Sequence, residues 1–266
     1  MRVATFNLLN GRSLDDGMVD VGRLAAAVAS LDADVLGLQE VDRDQERSHR
    51  ADLTAVAAEA MGAVDGRFVA ALSGTPGGRW TAATGCEAPG SPAYGIALLS
   101  RYPVVSWQVL RLPRARVRVP LWIPAARRVI AVRDEPRVAV AAVLETPFGP
   151  ITACTTHLSF VPGWSGHQLR RVAARPSGST GPLLLVGDLN MGAARAARAS
   201  GLRALGTAPT YPADRPRRQL DHVLADGGLR AAGPAEAVRL PVSDHRALVV
   251  SCEPGPPGDE SRGRRR

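Results

Sequence analysis

No lysine occurs anywhere in the 266 residues; all 33 basic side chains are arginine. That absence excludes Schiff-base chemistry on a lysine, and it excludes a P-loop, whose lysine reaches the phosphates. Cysteine is scarce. Cys86, Cys154 and Cys252 stand far apart with no CxxC pair, which argues against a zinc site of paired thiolates and suits a reducing cytoplasm. Cys154 and Cys252 lie in strand-like runs and read as small core residues. No apolar run reaches the about 18 residues of a membrane-spanning helix. The opening MRVATFNLLNGR lacks an apolar segment followed by a small-residue cleavage site, so no secretory signal is expected. HExxH and GxSxG are both missing, which removes the zinc-protease histidine pair and the serine nucleophile of that type.

What is present fits one large α/β domain. The length suits it, and a hydrophobic share of 45% is enough for a sizeable core. The formal charge is +8. A basic surface favours phosphate-bearing partners, and the arginine fork matches phosphate geometry. Compositional drift toward arginine and alanine explains the same numbers equally well. The stretch from Glu253 to Arg266, EPGPPGDESRGRRR, has no apolar periodicity, so the reading is a domain over 1–252 and a disordered basic tail over 253–266.

Strand-like and helix-like runs alternate along the domain. Strands are expected at Arg2 to Leu8, Asp34 to Gln39, Tyr94 to Ser100, Val104 to Leu110, Val138 to Glu145, Ile151 to His157, Leu183 to Val186, Leu220 to Leu224 and Ala247 to Ser251. Helical spacing covers Val19 to Leu31 and Asp52 to Met61. Thr146-Pro147-Phe148-Gly149 reads as a hairpin turn. Hairpins mixed with helix crossovers predict a mixed sheet, and two sheets packed face to face with outer helices would hold this many strands. The segment Arg111 to Arg133 carries seven arginines around Val119-Pro120-Leu121-Trp122-Ile123-Pro124. Its prolines argue against a helix or a central strand. It reads as a solvated insertion loop or as a lip that touches substrate or membrane.

The chemical signal is positional. Apolar strand runs end in residues that handle metals or protons: Asn7 after VATF, Glu40 after VLGLQ, His157 after ITACTT, Asp188 and Asn190 around the end of LLLVG, Asp221 beside Leu220, and Asp244-His245 before ALVV. Ligands in layered α/β folds commonly bind at strand ends and the loops leaving them. Carboxylates with an amide oxygen suit a hard cation such as Mg²⁺, and imidazoles beside them can stabilise phosphoryl charge or donate a proton. Any one of these residues alone has an ordinary structural explanation; only the set points to chemistry. His222 would face the opposite side from Asp221 on a strand and reads as structural, and His49 and His167 receive no role.

The segments TFN (Thr5 to Asn7), LQEVD (Leu38 to Asp42), YGIALLSRYPV (Tyr94 to Val104), THLS (Thr156 to Ser159), GDLN (Gly187 to Asn190), LDHVLA (Leu220 to Ala225) and SDHRAL (Ser243 to Leu248) occur in an order that resembles the endonuclease/exonuclease/phosphatase superfamily. The resemblance implies a DNase I-like four-layer αββα sandwich, with two packed mixed β-sheets flanked by helices. It implies that Glu40 binds a divalent metal, Mg²⁺ or Mn²⁺, with Asn7 beside it and Asp244 on the metal or its water shell. It further implies that Asp188 orients or deprotonates the attacking water, Asn190 positions the phosphate, His157 and His245 stabilise the transition state, and Asp221 orients a histidine. The expected activity is phosphoester hydrolysis by in-line attack of water, by a cytoplasmic monomer. Nucleic acid is favoured as substrate by charge, with a phospholipid at a membrane as the alternative and an inactive binding module of the same fold as a third reading. TFN is followed here by Leu8-Leu9 and GDLN by Met191-Gly192-Ala193, which do not match the longer signatures of abasic-site endonucleases. Nor are the extended motifs of inositol polyphosphate 5-phosphatases present.

Overall fold

The computed structural model describes residues 1–123, 128–174 and 181–255. Along the chain run β1 (Arg2–Asn7), α1 (Val21–Leu31), β2 (Val35–Arg43), α2 (Leu53–Met61), β3 (Asp65–Gly74), β4 (Trp80–Ala82), β5 (Ala93–Ser100) and β6 (Val104–Leu112). Then come β7 (Arg118–Ile123), β8 (Arg128–Arg133), β9 (Arg137–Thr146), β10 (Gly149–His157), α3 (Trp164–Ala173), β11 (Leu183–Asp188) and α4 (Ala193–Ser200). The chain closes with β12 (Arg203–Ala204), β13 (Asp221–Ala225), β14 (Leu229–Ala231), β15 (Glu236–Val238) and β16 (Ala247–Pro254).

These strands form two large mixed sheets. The first has the order β14-β16-β1-β2-β5-β3-β4, with β15 also on β16; the second has the order β12-β13-β11-β10-β9-β6. Only β1 with β2 in the first, and β10 with β11 in the second, run parallel. Period-two alternation sorts the side chains into layers. Val3, Val35 and Leu98 meet Val140, Ala153 and Val186 between the sheets. Their neighbours Ala4, Leu36 and Leu99 turn outward onto Leu24, Val28, Leu53 and Ala57 of α1 and α2. On the far side Cys154 and Leu185 pack against Leu169, Val172 and Ala196 of α3 and α4. The result is the four-layer αββα sandwich. Cys154 and Cys252 are buried in these cores, as their strand setting suggested.

Local chemistry sets the element ends. Asp20 accepts from Arg23 N at 2.8 Å, so α1 starts at Val21 rather than at Val19. Asp52 likewise caps α2 by accepting from Thr54 N and Ala55 N. Gly37 lies where the sheets come closest: a Cβ there would meet Thr155 Oγ1 and Val186 Cγ2, each at 2.5 Å.

Several expectations need correction. β2 does not stop before Glu40 but bulges between Leu38 and Val41 and continues to Arg43. β16 continues through Glu253 to Pro254, paired with β14, so the sheet includes the first two residues of the expected tail. Residues 256–266 of the expected tail lie outside the described residues. The segment from Arg111 to Arg133 is not simply a loop. It includes the end of β6 and the antiparallel pair β7-β8, which forms a two-stranded sheet of its own. An isolated pair tolerates Pro120, since it has outer edges where no N–H is required. α3 and α4 were not expected from the pattern, because WSGHQLRRVA and AARAARAS carry few large apolar residues. No helix of the described residues is long and apolar enough to cross a membrane.

Candidate active site

The topology gathers the singled-out residues at one edge. Asn7, His157 and Asp188 are the last residues of β1, β10 and β11, and Asp221 is the first of the antiparallel β13. Glu40 sits at the β2 bulge with φ +55°, and Asp244 and His245 precede β16. Positive φ at Glu40, Asn190 (+51°) and Ser243 (+77°) marks backbone held in an uncommon conformation where functional side chains must be aimed. Gly187 has φ +147°, and a Cβ there would lie 2.0 Å from Thr156 O, so GDLN requires glycine to bring β11 against β10.

The side chains form one connected cluster. Asn7 Nδ2 donates to Glu40 Oε1 at 3.1 Å and to Asp188 Oδ2 at 3.2 Å, bridging the two sheets, while its Oδ1 accepts from Leu9 N. Asp188 Oδ2 lies 3.6 Å from His157 Nε2 and 3.8 Å from His245 Nε2. Asp188 Oδ1 accepts from Asn190 N at 2.9 Å. The Asn190 amide reaches His157 Nε2 at 3.4 Å and donates to Leu158 O. His245 Nδ1 meets Asp221 Oδ2 at 2.8 Å, and Tyr211 packs its ring 4.8 Å from the imidazole. Ser243 Oγ donates to Asn7 O at 2.6 Å and accepts from His245 N, tying the histidine loop to β1. Beneath the cluster, Gln39 joins Thr5 to Thr155 across the sheets with bonds of 3.1 to 3.2 Å. Thus all eight residues named from the sequence, Asn7, Glu40, His157, Asp188, Asn190, Asp221, Asp244 and His245, fall at this edge.

The set-aside histidines lie outside this cluster. His222 is buried on the other face of β13 with Nε2 2.8 Å from Met191 O. His49 is exposed and bonds Val19 O, and His167 packs on Trp164.

Electrostatics separates the titrating groups. Burial raises the Asp188 carboxyl, and the neighbouring Asp221 charge adds to it, bringing the group to about 7. Burial works against a proton on His245, but the Asp221 carboxylate outweighs it and raises the imidazole to about 10. His157 lies well below the ordinary range because it is buried and faces the positive charges of Arg137 and His245. Burial also raises Glu40, with the Asp244 charge adding and the Asn7 amide opposing. One imidazole is therefore built to stay charged and the other to stay neutral.

Arg137, which opens β9, was not singled out from the sequence. It is 6% exposed, pairs with Glu135 at 3.6 Å, and its buried Nε has no hydrogen-bond partner. With Tyr94 and His157 it lines a small cavity. The signal was available, since EPR directly precedes the apolar run VAVAAV on the catalytic edge, but proximity to the proline obscured the strand start.

The residues fit a divalent cation. Glu40 and Asp244 repel each other across the site, and Asp188 and Asp221 do likewise. Asp221 Oδ1 is buried without a partner. Carboxylate and amide oxygens of this kind suit a hard cation. Asp188, Asp221 and His245 also carry donor atoms within 4.8 Å of one another, a closeness to which the His245–Asp221 hydrogen bond contributes.

Comparison with known proteins agrees with this geometry. A model of the Endonuclease/Exonuclease/phosphatase family matches residues 4–245. No curated protein matches the chain. Among solved structures, an endonuclease/exonuclease/phosphatase from Beutenbergia cavernae is 24% identical with a TM-score of 0.67, over 96% of this chain and 72% of that one. A mannosyl-6-phosphatase from Bacteroides thetaiotaomicron is 16% identical with a TM-score of 0.63, over 95% and 99%. Sphingomyelinase C from Streptomyces griseocarneus is 16% identical with a TM-score of 0.57, over 96% and 99%. At these identities the neighbours show the fold alone. The family model, spanning nearly the whole chain and every residue of the cluster, shows that this protein belongs to the endonuclease/exonuclease/phosphatase family of hydrolases acting on phosphoester bonds.

Proposed function

We propose that this protein is a divalent-metal-dependent phosphodiesterase that hydrolyses nucleic acid by in-line attack of water. The observation that carries the chemistry is the placement of Asp188 between two imidazoles, 3.6 Å from His157 and 3.8 Å from His245. Glu40 and Asp244 would hold Mg²⁺ or Mn²⁺, with Asn7 beside them bonded to Glu40 through its Nδ2. Such an ion supplies Lewis-acid neutralisation of a phosphoryl oxygen.

The chain's own groups divide the remaining work. Asp188, with its proton affinity raised to about 7, takes the proton of the attacking water. His245, kept protonated by Asp221, donates N–H to the charge that develops on phosphorus-bound oxygen. Neutral His157 and the Asn190 amide hold a second non-bridging oxygen. Arg137, buried beside them, offers an unpaired Nε–H and a fork suited to phosphate. Little covalent work is asked of the protein; positioning and charge stabilisation carry the step.

Nucleic acid is favoured by the net charge of +8, carried entirely by arginine. A second reading, a phospholipid phosphodiesterase, draws on the fold shared with sphingomyelinase C and on the separate antiparallel pair β7-β8 in its arginine-rich segment. A panel of DNA, RNA, sphingomyelin, phosphatidylcholine and sugar phosphates, assayed with Mg²⁺ and with EDTA, decides between them. Metal-dependent cleavage of nucleic acid above the others is expected. Preferential cleavage of a lipid would replace the substrate assignment, and hydrolysis unaffected by EDTA would remove the metal.

A further inference from the structure

The catalytic edge does not end at the catalytic cluster. β6 runs antiparallel to β9, which runs antiparallel to β10, so β6 ends at the same edge as His157. By the same reasoning β3 ends at the edge where β2 ends, since it runs antiparallel to β5 and β5 antiparallel to β2. Moving outward along both sheets, the edge carries first Tyr94 and Arg137, at the starts of β5 and β9. It then carries Trp80, which opens β4, and Arg114, just past β6.

This outer part is a ladder of aromatic rings and arginines. The Arg114 guanidinium lies over the Trp80 ring at 5.9 Å. Trp164 donates its indole N–H to Pro113 O at 2.8 Å and packs on the His167 ring at 5.1 Å. Arg116, two residues past Arg114, is exposed. The rim is fastened to the catalytic strand: buried Asp134 accepts from Ala115 N at 2.7 Å and from Ser159 Oγ at 2.8 Å, and Ser159 is two residues past His157. Gln168 adds a second bond to Pro113 O at 2.8 Å.

We propose that this rim, Trp80, Arg114, Arg116, Trp164 and His167, binds the strand that flanks the scissile phosphate of a single-stranded nucleic acid. Unpaired bases stack on the half-buried rings, and the arginines follow the phosphates, the combination that single-strand platforms use. A duplex hides its base faces from such rings. The rigid tie through Asp134 fixes the distance from the rim to Asp188 and so sets which linkage is presented. The inference rests on the nucleic-acid reading above.

The test compares hydrolysis of a dinucleotide with that of a single strand of about a dozen nucleotides, within the span of such platforms. The variants are Arg114→Ser/Arg116→Ser, at exposed positions, and Trp80→Ala. Wild type should show a lower KM for the long strand. Each variant should raise the long-strand KM at least about fivefold more than the dinucleotide KM, the lower end of what one lost stack does. Equal effects on both substrates, or no length preference in wild type, would overturn the rim. If neither substrate is cleaved, fluorescence anisotropy of a labelled long strand decides. Binding weakened in the variants keeps the rim while the catalytic assignment fails. Absence of binding, or capture by phosphatidylglycerol vesicles in its place, overturns it.

Discussion

Asp188 and His245 form the pair on which the chemistry depends, and each is tuned by Asp221. Replacing Asp188 or His245 by alanine should cut kcat by at least about 100-fold, the usual cost of losing a positioned proton-handling group. Near-wild-type turnover in either would remove the assigned role. The pH profile follows from the same pair. Asp188 must be unprotonated to accept a proton, so activity rises as pH climbs through its value of about 7, or lower once a cation draws it down. His245 must be protonated, so activity falls as pH climbs through about 10. Asp221→Asn removes the charge that retains this proton, and the basic limb should then move down toward the ordinary imidazole range of roughly 6.5. A basic limb unmoved in a pH–rate measurement would assign it to another group. These residues could be read from the chain because each stands where an apolar run stops or starts. Arg137 was missed because its strand start is masked by Pro136. That Asp221 orients a histidine followed only from the resemblance; that the histidine is His245, 24 positions away, is seen in the structure.

At the level of elements, the site depends on two sheets held at close approach. Gly37 faces Thr155 and Val186 across the gap with no room for a side chain. Gly37→Val should destabilise the fold by about 1–3 kcal/mol through overpacking, visible as a lower denaturant midpoint. An unchanged midpoint would mean that the sheets separate freely at this point. Strands that are nearly continuous buried runs were legible: β1, β5, β9, β10 and β11 lie where expected to within one or two residues. β3 was not, because DGRFVAALSG mixes exposed and buried residues around its pairing with β5 and β4. Short α4 was hidden for a different reason, since alanine and arginine carry no apolar stripe and only Ala196 is buried in it.

For the whole molecule, the strand and helix pattern indicated two packed mixed sheets with outer helices, and the resemblance carried by the ordered motifs implied the four-layer sandwich. The substrate was not legible, since charge and arginine content describe an overall field rather than a fit. Mg²⁺ should bind the folded state alone and raise the thermal midpoint, by the equivalent of about 2.7 kcal/mol at a hundred times Kd. A Glu40→Gln protein should lose most of that rise, and a rise of wild-type size in it would place the ion elsewhere. The central claim is metal-dependent water attack on a phosphodiester, with Asp188 as base. Its most direct test is hydrolysis of a single-stranded oligonucleotide in H₂¹⁸O by wild type and by Asp188→Asn, with and without Mg²⁺, both proteins being confirmed folded by circular dichroism. The account predicts Mg²⁺-dependent cleavage with ¹⁸O in the new phosphate terminus, reduced at least about 100-fold in Asp188→Asn. Cleavage without ¹⁸O in that phosphate, or an Asp188→Asn protein as fast as wild type, would contradict it.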